Sequence, residues 1–177
     1  MSPPSVVETK RLRLRPPVVE DADFVYGEYA QDEAVGRYMM WPRHTDVAQT
    51  RRFLERCEAV WAAQSAFPWL MERREDGKPL GMVEMQIKDF RVNIGYVLAK
   101  AYWGHGYMTE AVAALRDWAL DQPEIYRFWS FCDVENKASA RVMEKVGMQR
   151  EGILRRWVLH PNVSDEPRDC YCYAVVK

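Results

Sequence analysis

The chain begins with an alternation. In residues 8–15, Leu12 and Leu14 fall on one side and Arg11, Arg13 and Arg15 on the other, the pattern of a half-buried strand, and Pro16-Pro17 ends it. From Val18 the period becomes helical, with Glu20, Asp21 and Asp23 in the first turn, where negative charge is favourable, and Phe24, Val25 and Tyr29 as apolar contacts. Residues 35–44 form an aromatic connector. Thr45 or Asp46 caps a second helix, whose apolar stripe is Val47, Phe53, Leu54, Cys57, Val60 and Trp61. Strands follow at 67–73, 79–88 and 91–98, parted by Glu75-Asp76-Gly77-Lys78 and by a turn at Lys88-Asp89. Met108, Ala111, Val112, Leu115, Trp118 and Ala119 recur at helical spacing. A strand over 125–132 and a short helix over 136–146 come next; Ala138, Val142, Met143 and Val146 face inward, and Gly147 lies beyond the helix end. Two strands, 148–159 and 169–176, are joined through His160-Pro161-Asn162. This order predicts a mixed sheet with helices on both faces. No repeat, low-complexity tract or linker divides it, so one domain over residues 1–177, with its core at about 8–176, is expected.

Within this order one junction carries chemistry. Ile94, Tyr96, Val97 and Leu98 belong to a strand, and Gly104 and Gly106 stand in the loop that opens the next helix. Glycines let backbone N–H groups approach a ligand without a Cβ in the way. A helix start adds unpaired N–H groups and the positive end of its dipole, so the loop over 101–109 suits an anion such as a pyrophosphate. A plain tight turn is the alternative reading of the same residues. A dinucleotide fingerprint would need a third glycine where Thr109 stands, and a P-loop would need Gly-Lys-Ser/Thr, which the chain lacks.

Composition narrows the class. With 177 residues, 48% apolar and 29% charged, the chain is long enough for a substantial core and has the make-up of an ordinary globular protein. A net charge of −1 supplies no general attraction to nucleic acid or membrane, and neither is expected as a partner. The residues after Met1-Ser2-Pro3-Pro4-Ser5 are charged, unlike a signal peptide, and no apolar run is long enough to span a bilayer. Cys57, Cys132, Cys170 and Cys172 lack metal-site spacing, so free thiols in a reducing cytoplasm and no metal are expected.

Gly95-Tyr96-Val97-Leu98 followed by Tyr102-Trp103-Gly104-His105-Gly106-Tyr107-Met108-Thr109-Glu110-Ala111 resembles the acetyl-CoA-binding motif of the GCN5-related N-acetyltransferases (GNAT), closest to the RimJ/RimL-like branch that acts on ribosomal proteins and amino termini. Thr9-Lys10-Arg11-Leu12-Arg13-Leu14-Arg15 is similar to the first strand of that branch, and Asn136-Lys137-Ala138-Ser139 with Lys145-Val146-Gly147-Met148 to its later segment. The resemblance covers nearly the whole chain. It implies an α/β (α+β) fold with a mixed, mostly antiparallel twisted sheet of about seven strands and helices on both faces. It also implies acetyl-CoA as cosubstrate, with pantetheine in a splay between residues 93–98 and 126–132. Two departures stand out. Ala101 replaces the Gln or Arg that opens the family's pyrophosphate loop, and Asn93 replaces a common Glu.

By resemblance, the cofactor-binding residues are Val97, Leu98, Trp103, Gly104, His105, Gly106, Tyr107, Met108, Thr109 and Asn136. Many relatives protonate the departing thiolate with a tyrosine at the position of Met143, which leaves Ser139 or a water for that task. Glu84, on the strand beside the splayed one, is the candidate base. Backbone N–H near Val97 or Leu98 would meet the oxyanion. Tyr38, Trp41, Trp157 and His160 are candidate acceptor contacts, with packing as the alternative for each. The expected activity is transfer of an acetyl group to a primary amine, a protein amino terminus or a small molecule, by direct attack on the thioester. A catalytically silent CoA-binding sensor or a structural domain are the alternatives, and a homodimer is an assembly open to the chain.

Overall fold

The computed structural model describes residues Met1–Lys177. Eight strands form one sheet: β1 (Val7–Glu8), β2 (Leu12–Arg15), β3 (Phe67–Arg73), β4 (Pro79–Lys88), β5 (Arg91–Leu98), β6 (Arg127–Asp133), β7 (Gln149–Val158) and β8 (Arg168–Val176). Their spatial order is β1-β2-β3-β4-β5-β6-β8-β7. Every neighbouring pair is antiparallel except β5–β6, which is parallel because helix α4 (Tyr107–Asp121) crosses over between them.

Alternation along the strands sorts side chains to two cores. Phe67, Trp69 and Met71 of β3, with Val83 and Met85 of β4, pack with Met108, Ala111, Val112 and Leu115 of α4 and with Met143 of α5 (Lys137–Lys145). Leu70 of β3 and Met82 of β4 point the other way, onto Ala22, Val25, Leu54 and Cys57 of the amino-terminal helices. The sheet therefore carries helices on both faces, as the element order predicts.

Three local readings need correction. The opening strand is a hairpin of two strands, because Thr9 makes a turn: its N–H donates to the Leu12 carbonyl at 2.9 Å and its Oγ1 accepts from the Leu12 N–H at 3.0 Å. The sheet thus has eight strands. The first predicted helix is broken into a 3-10 turn (Val19–Asp21), α1 (Ala22–Val25) and a π turn (Tyr26–Ala30). Asp32 then caps a separate short helix, α2 (Glu33–Gly36), inside the predicted connector, its carboxylate accepting from the Val35 N–H at 2.9 Å. The long second helix is α3 (Val47–Ala62), capped by Asp46. In α5, Ala138 is exposed, whereas Val142, Met143 and Val146 face inward as expected, joined by Ala140.

Candidate functional site

Strands β5 and β6 pair over only three residues: Arg91 with Arg127, Val92 with Phe128 and Asn93 with Trp129. Beyond them the ladder gives way to side chains. Asn93 Nδ2 donates to the Trp129 carbonyl at 3.3 Å, and the buried Ser130 hydroxyl donates to the Ile94 carbonyl at 2.6 Å. From there the strands part. Asn93, set aside in the sequence as a departure from the family pattern, thus sits at the fork itself.

The fork exposes a row of backbone groups. The Ala99 N–H donates to Leu80 of the β4 side, whereas the carbonyls of Ile94 and Leu98 are reached from the opposite side by Ser130 and by the Trp103 indole at 2.8 Å. Alternation then places the Tyr96 and Leu98 N–H groups in the gap and turns that of Val97 into the β4 ladder, opposite Met82. Val97 lines the gap through its side chain.

At the end of β5 lies the glycine loop. Gly104 and Gly106 have φ of 80° and 77°, a left-handed conformation that side chains with a Cβ resist. No side chain caps α4, whose first backbone bond runs from the Glu110 N–H to the Gly106 carbonyl. The N–H groups of Gly104, His105 and Gly106, with those of the first helical turn at Tyr107, Met108 and Thr109, therefore stay unpaired within the chain. Trp103 and His105 are exposed, Thr109 is half-buried, and the side chains of Tyr107 and Met108 turn into the core, leaving only their backbone for a ligand. The donor-rich loop and the fork's free edge fit the pyrophosphate and the amide-bearing arm of coenzyme A, respectively.

The loop is fastened from behind by residues that periodicity does not single out as partners. Glu110 accepts from Thr9 Oγ1 at 2.6 Å, from the Arg11 N–H at 2.8 Å and from Arg11 Nε at 2.6 Å, and Arg11 Nη1 donates to the His105 carbonyl at 3.0 Å. Burial would raise the Glu110 carboxyl, but Thr9 and Arg11 outweigh it and hold it below the ordinary range.

Between the fork and the connector is a cleft of about 260 Å³. It brings together Glu84, Val97, Asn136, Ser139, Tyr38, Trp41 and the buried His160, with Tyr96. Asn136 caps α5, its Oδ1 accepting from the Ser139 N–H at 3.2 Å. The Ser139 hydroxyl lies 2.8 Å from the Tyr96 phenol, whose titration burial pushes up, so the phenol is neutral at pH 7. Glu84 faces the cleft, half-buried, with Gln86 Nε2 donating to it at 2.8 Å. Trp157 does not line the cleft; it stands 48% exposed, edge-on to Phe131 with ring centroids 6.0 Å apart. No three His, Cys, Asp or Glu side chains converge as a metal site would require.

Comparison with known proteins agrees with this geometry. Residues 11–149 match the family model of an acetyltransferase (GNAT) domain. The uncharacterized N-acetyltransferase p20 of Bacillus licheniformis is 31% identical over 150 residues, 83% of this chain and 84% of its own length. Among solved structures, the microcin C7 self-immunity acetyltransferase MccE, in complex with acetyl-CoA and AMP, superposes with a TM-score of 0.86 at 25% identity, covering 99% of this chain and 98% of its own. RimL, a ribosomal L7/L12 α-N-protein acetyltransferase in complex with coenzyme A, has a TM-score of 0.84 at 20% identity over 97% of both chains.

Proposed function

The chain belongs to the GNAT acetyltransferase family, and from that premise we propose that it moves an acetyl group from acetyl-CoA to a primary amine by direct attack, acting as one domain over its whole length. The observation that carries this reading is the convergence of Ser139, Tyr96 and Glu84 on one cleft at the fork of β5 and β6. When bound, acetyl-CoA supplies an acetyl group activated as a thioester. The loop from Trp103 to Thr109 would hold its pyrophosphate, and Tyr96, Val97 and Leu98, with Asn136 nearby, its arm.

The protein's own part is positioning and proton movement. Glu84 takes the proton that the amine loses on attack, directly or through a water. The Leu98 N–H, free on the gap side, meets the negative charge that develops on the carbonyl oxygen. Ser139 gives a proton to the departing sulfur and regains one from water, while the Tyr96 phenol it touches stays neutral and orients its hydroxyl. The acceptor enters past Tyr38 and Trp41. An α-amino group, with a pKa of about 7.7–8.0, is partly neutral at pH 7, whereas a lysine at about 10.4 would need about 3 kcal/mol more assistance. One half-buried carboxylate as the base therefore favours an amino terminus or a weakly basic small amine. The four free cysteines support a reducing cytoplasm as the place of work.

Thermal unfolding with and without acetyl-CoA tests the first half of this reading. At about 100 times its dissociation constant the ligand adds about 2.7 kcal/mol, visible as a raised midpoint. Thiol release on addition of free-amino peptides and small amines tests the second. A raised midpoint with no thiol release across such a panel would favour a CoA-binding sensor instead.

A further inference from the structure

A second concavity of about 260 Å³ adjoins the cleft, and Trp41 lines both. Its other walls are Pro42, Arg43, His44, Gln49, Arg52 and Arg56, without a single carboxylate. The chain as a whole is almost neutral, with 25 Lys and Arg against 26 Asp and Glu, so three guanidiniums and an imidazole around one hollow are a local concentration. Arg52 and Arg56 form no ion pair, and Arg43 reaches only an exposed Glu33 at 3.9 Å. Burial, then the charges of Arg56 and Arg52, hold the His44 imidazole below its ordinary pKa.

The hollow is built on fixed backbone. Asn162, from the loop after β7, donates to the Gly36 carbonyl at 2.8 Å and the Trp41 carbonyl at 2.9 Å, and accepts from the Arg43 N–H at 3.2 Å. The Arg43 stem lies on Gly36, where a Cβ would come within 2.9 Å of its Cγ. The His44 N–H donates to the Ala30 carbonyl at 2.9 Å, and its Nδ1 is engaged by the buried Thr50 hydroxyl at 2.7 Å, leaving Nε2 for a ligand. Arg52 and Arg56 are one turn apart on the same face of α3.

We propose that this hollow binds an anionic group, a phosphate or a carboxylate, carried by the acceptor. Resting on the acetyl-transfer reading, this makes the substrate an amine whose far end is negatively charged. Its apolar middle crosses Trp41 while its amine reaches Glu84 and Ser139. Guanidinium forks suit such oxygens better than lysines would.

The test is equilibrium binding, by calorimetry with coenzyme A present, of matched acceptors in two series. One compares aminoalkyl phosphates with the plain alkylamines. The other compares a free-amino peptide with acidic residues near its start with its amide counterpart. The anionic member of at least one series should bind about tenfold or more tightly than its neutral partner, with a margin that shrinks as salt rises. The series showing the effect identifies the source of the anion. An Arg52→Gln/Arg56→Gln variant should bring the pair close to parity while its midpoint still rises with acetyl-CoA, which reports an intact fold. Parity in the wild-type protein, no binding of any anionic acceptor, or a preference that survives the double substitution would each overturn the proposal. Because binding is read directly, failure of turnover would sink the acetyl-transfer reading without deciding this one.

Discussion

Ser139 is held from two sides: Asn136 fixes its backbone N–H, and the Tyr96 phenol meets its hydroxyl. If it is the proton donor, Ser139→Ala should lower kcat by about 100-fold, the low end of general acid catalysis, while the midpoint rise with acetyl-CoA is retained. Tyr96→Phe removes only the partner and should cost about tenfold. Thiol-release kinetics check both, and an unchanged kcat in Ser139→Ala would return the task to water. The serine was legible in the chain through its resemblance to a family segment. Tyr96 was not, because its partner lies 43 residues away and period alone says which face a side chain takes, never which atom it meets. Trp157 illustrates the reverse failure: aromatic and near the right hairpin, it is turned away from the cleft and packs on Phe131.

Among the elements, β5 is the one with two different edges. Its β4 edge is fully paired, while its β6 edge has no strand partner beyond Asn93. Amide hydrogen exchange should read this as an alternation, slow at Gly95 and Val97 and fast at Tyr96 and Leu98, with the fast pair slowed by coenzyme A. Uniform protection along β5 would contradict the fork. The glycine loop depends on its tie to the amino-terminal hairpin. Glu110→Gln keeps one hydrogen-bonding oxygen but loses the charge that Arg11 faces, and should raise the KM for acetyl-CoA several-fold with kcat little changed. Strands and long helices were readable because their periods are strong. The broken segment from Val19 to Gly36 was not, since Asp32 restarts the helix through one side-chain bond that competes with continuing it.

Across the molecule, β6 is joined to β8 by a buried carboxylate. Asp133, 1% exposed, accepts from Arg168 Nη2 at 3.1 Å, and His160 Nε2 stands 3.7 Å away. Burial would raise the Asp133 carboxyl, but Arg168 and the Glu135 N–H hold it below the ordinary range. An unfolded chain therefore takes up this proton more readily than the folded one. The stabilisation is fully present above the unfolded value of about 3.9 and is lost as pH falls below it through the lower folded value. A melting series should show the midpoint dropping below about pH 4. Arg168→Met leaves the carboxylate buried without its partner and should cost about 3 kcal/mol, on the order of 10 °C in the midpoint at pH 7. A shift within error would mean that water substitutes for the guanidinium. The mixed sheet and its two helical layers were legible from element order, but this tie joins the end of one strand to the start of another 35 residues on, and no local pattern announces it.

The clamp on the glycine loop also bears on synthesis. Arg11 and Glu110 are 99 residues apart, and the whole of β3, β4 and β5 is made in the interval. At about 5–20 residues per second a ribosome needs roughly 5–20 s to produce the second partner after the first. During that time Arg11 is without its carboxylate, whereas Arg13 and Arg15 meet Asp21 and Glu72 earlier in synthesis. The arginines keep the nascent segment from Arg11 to Arg15 charged on one side, while Leu12 and Leu14 on the other lack their full apolar cover until α4, the helix that carries Glu110, packs into the same core.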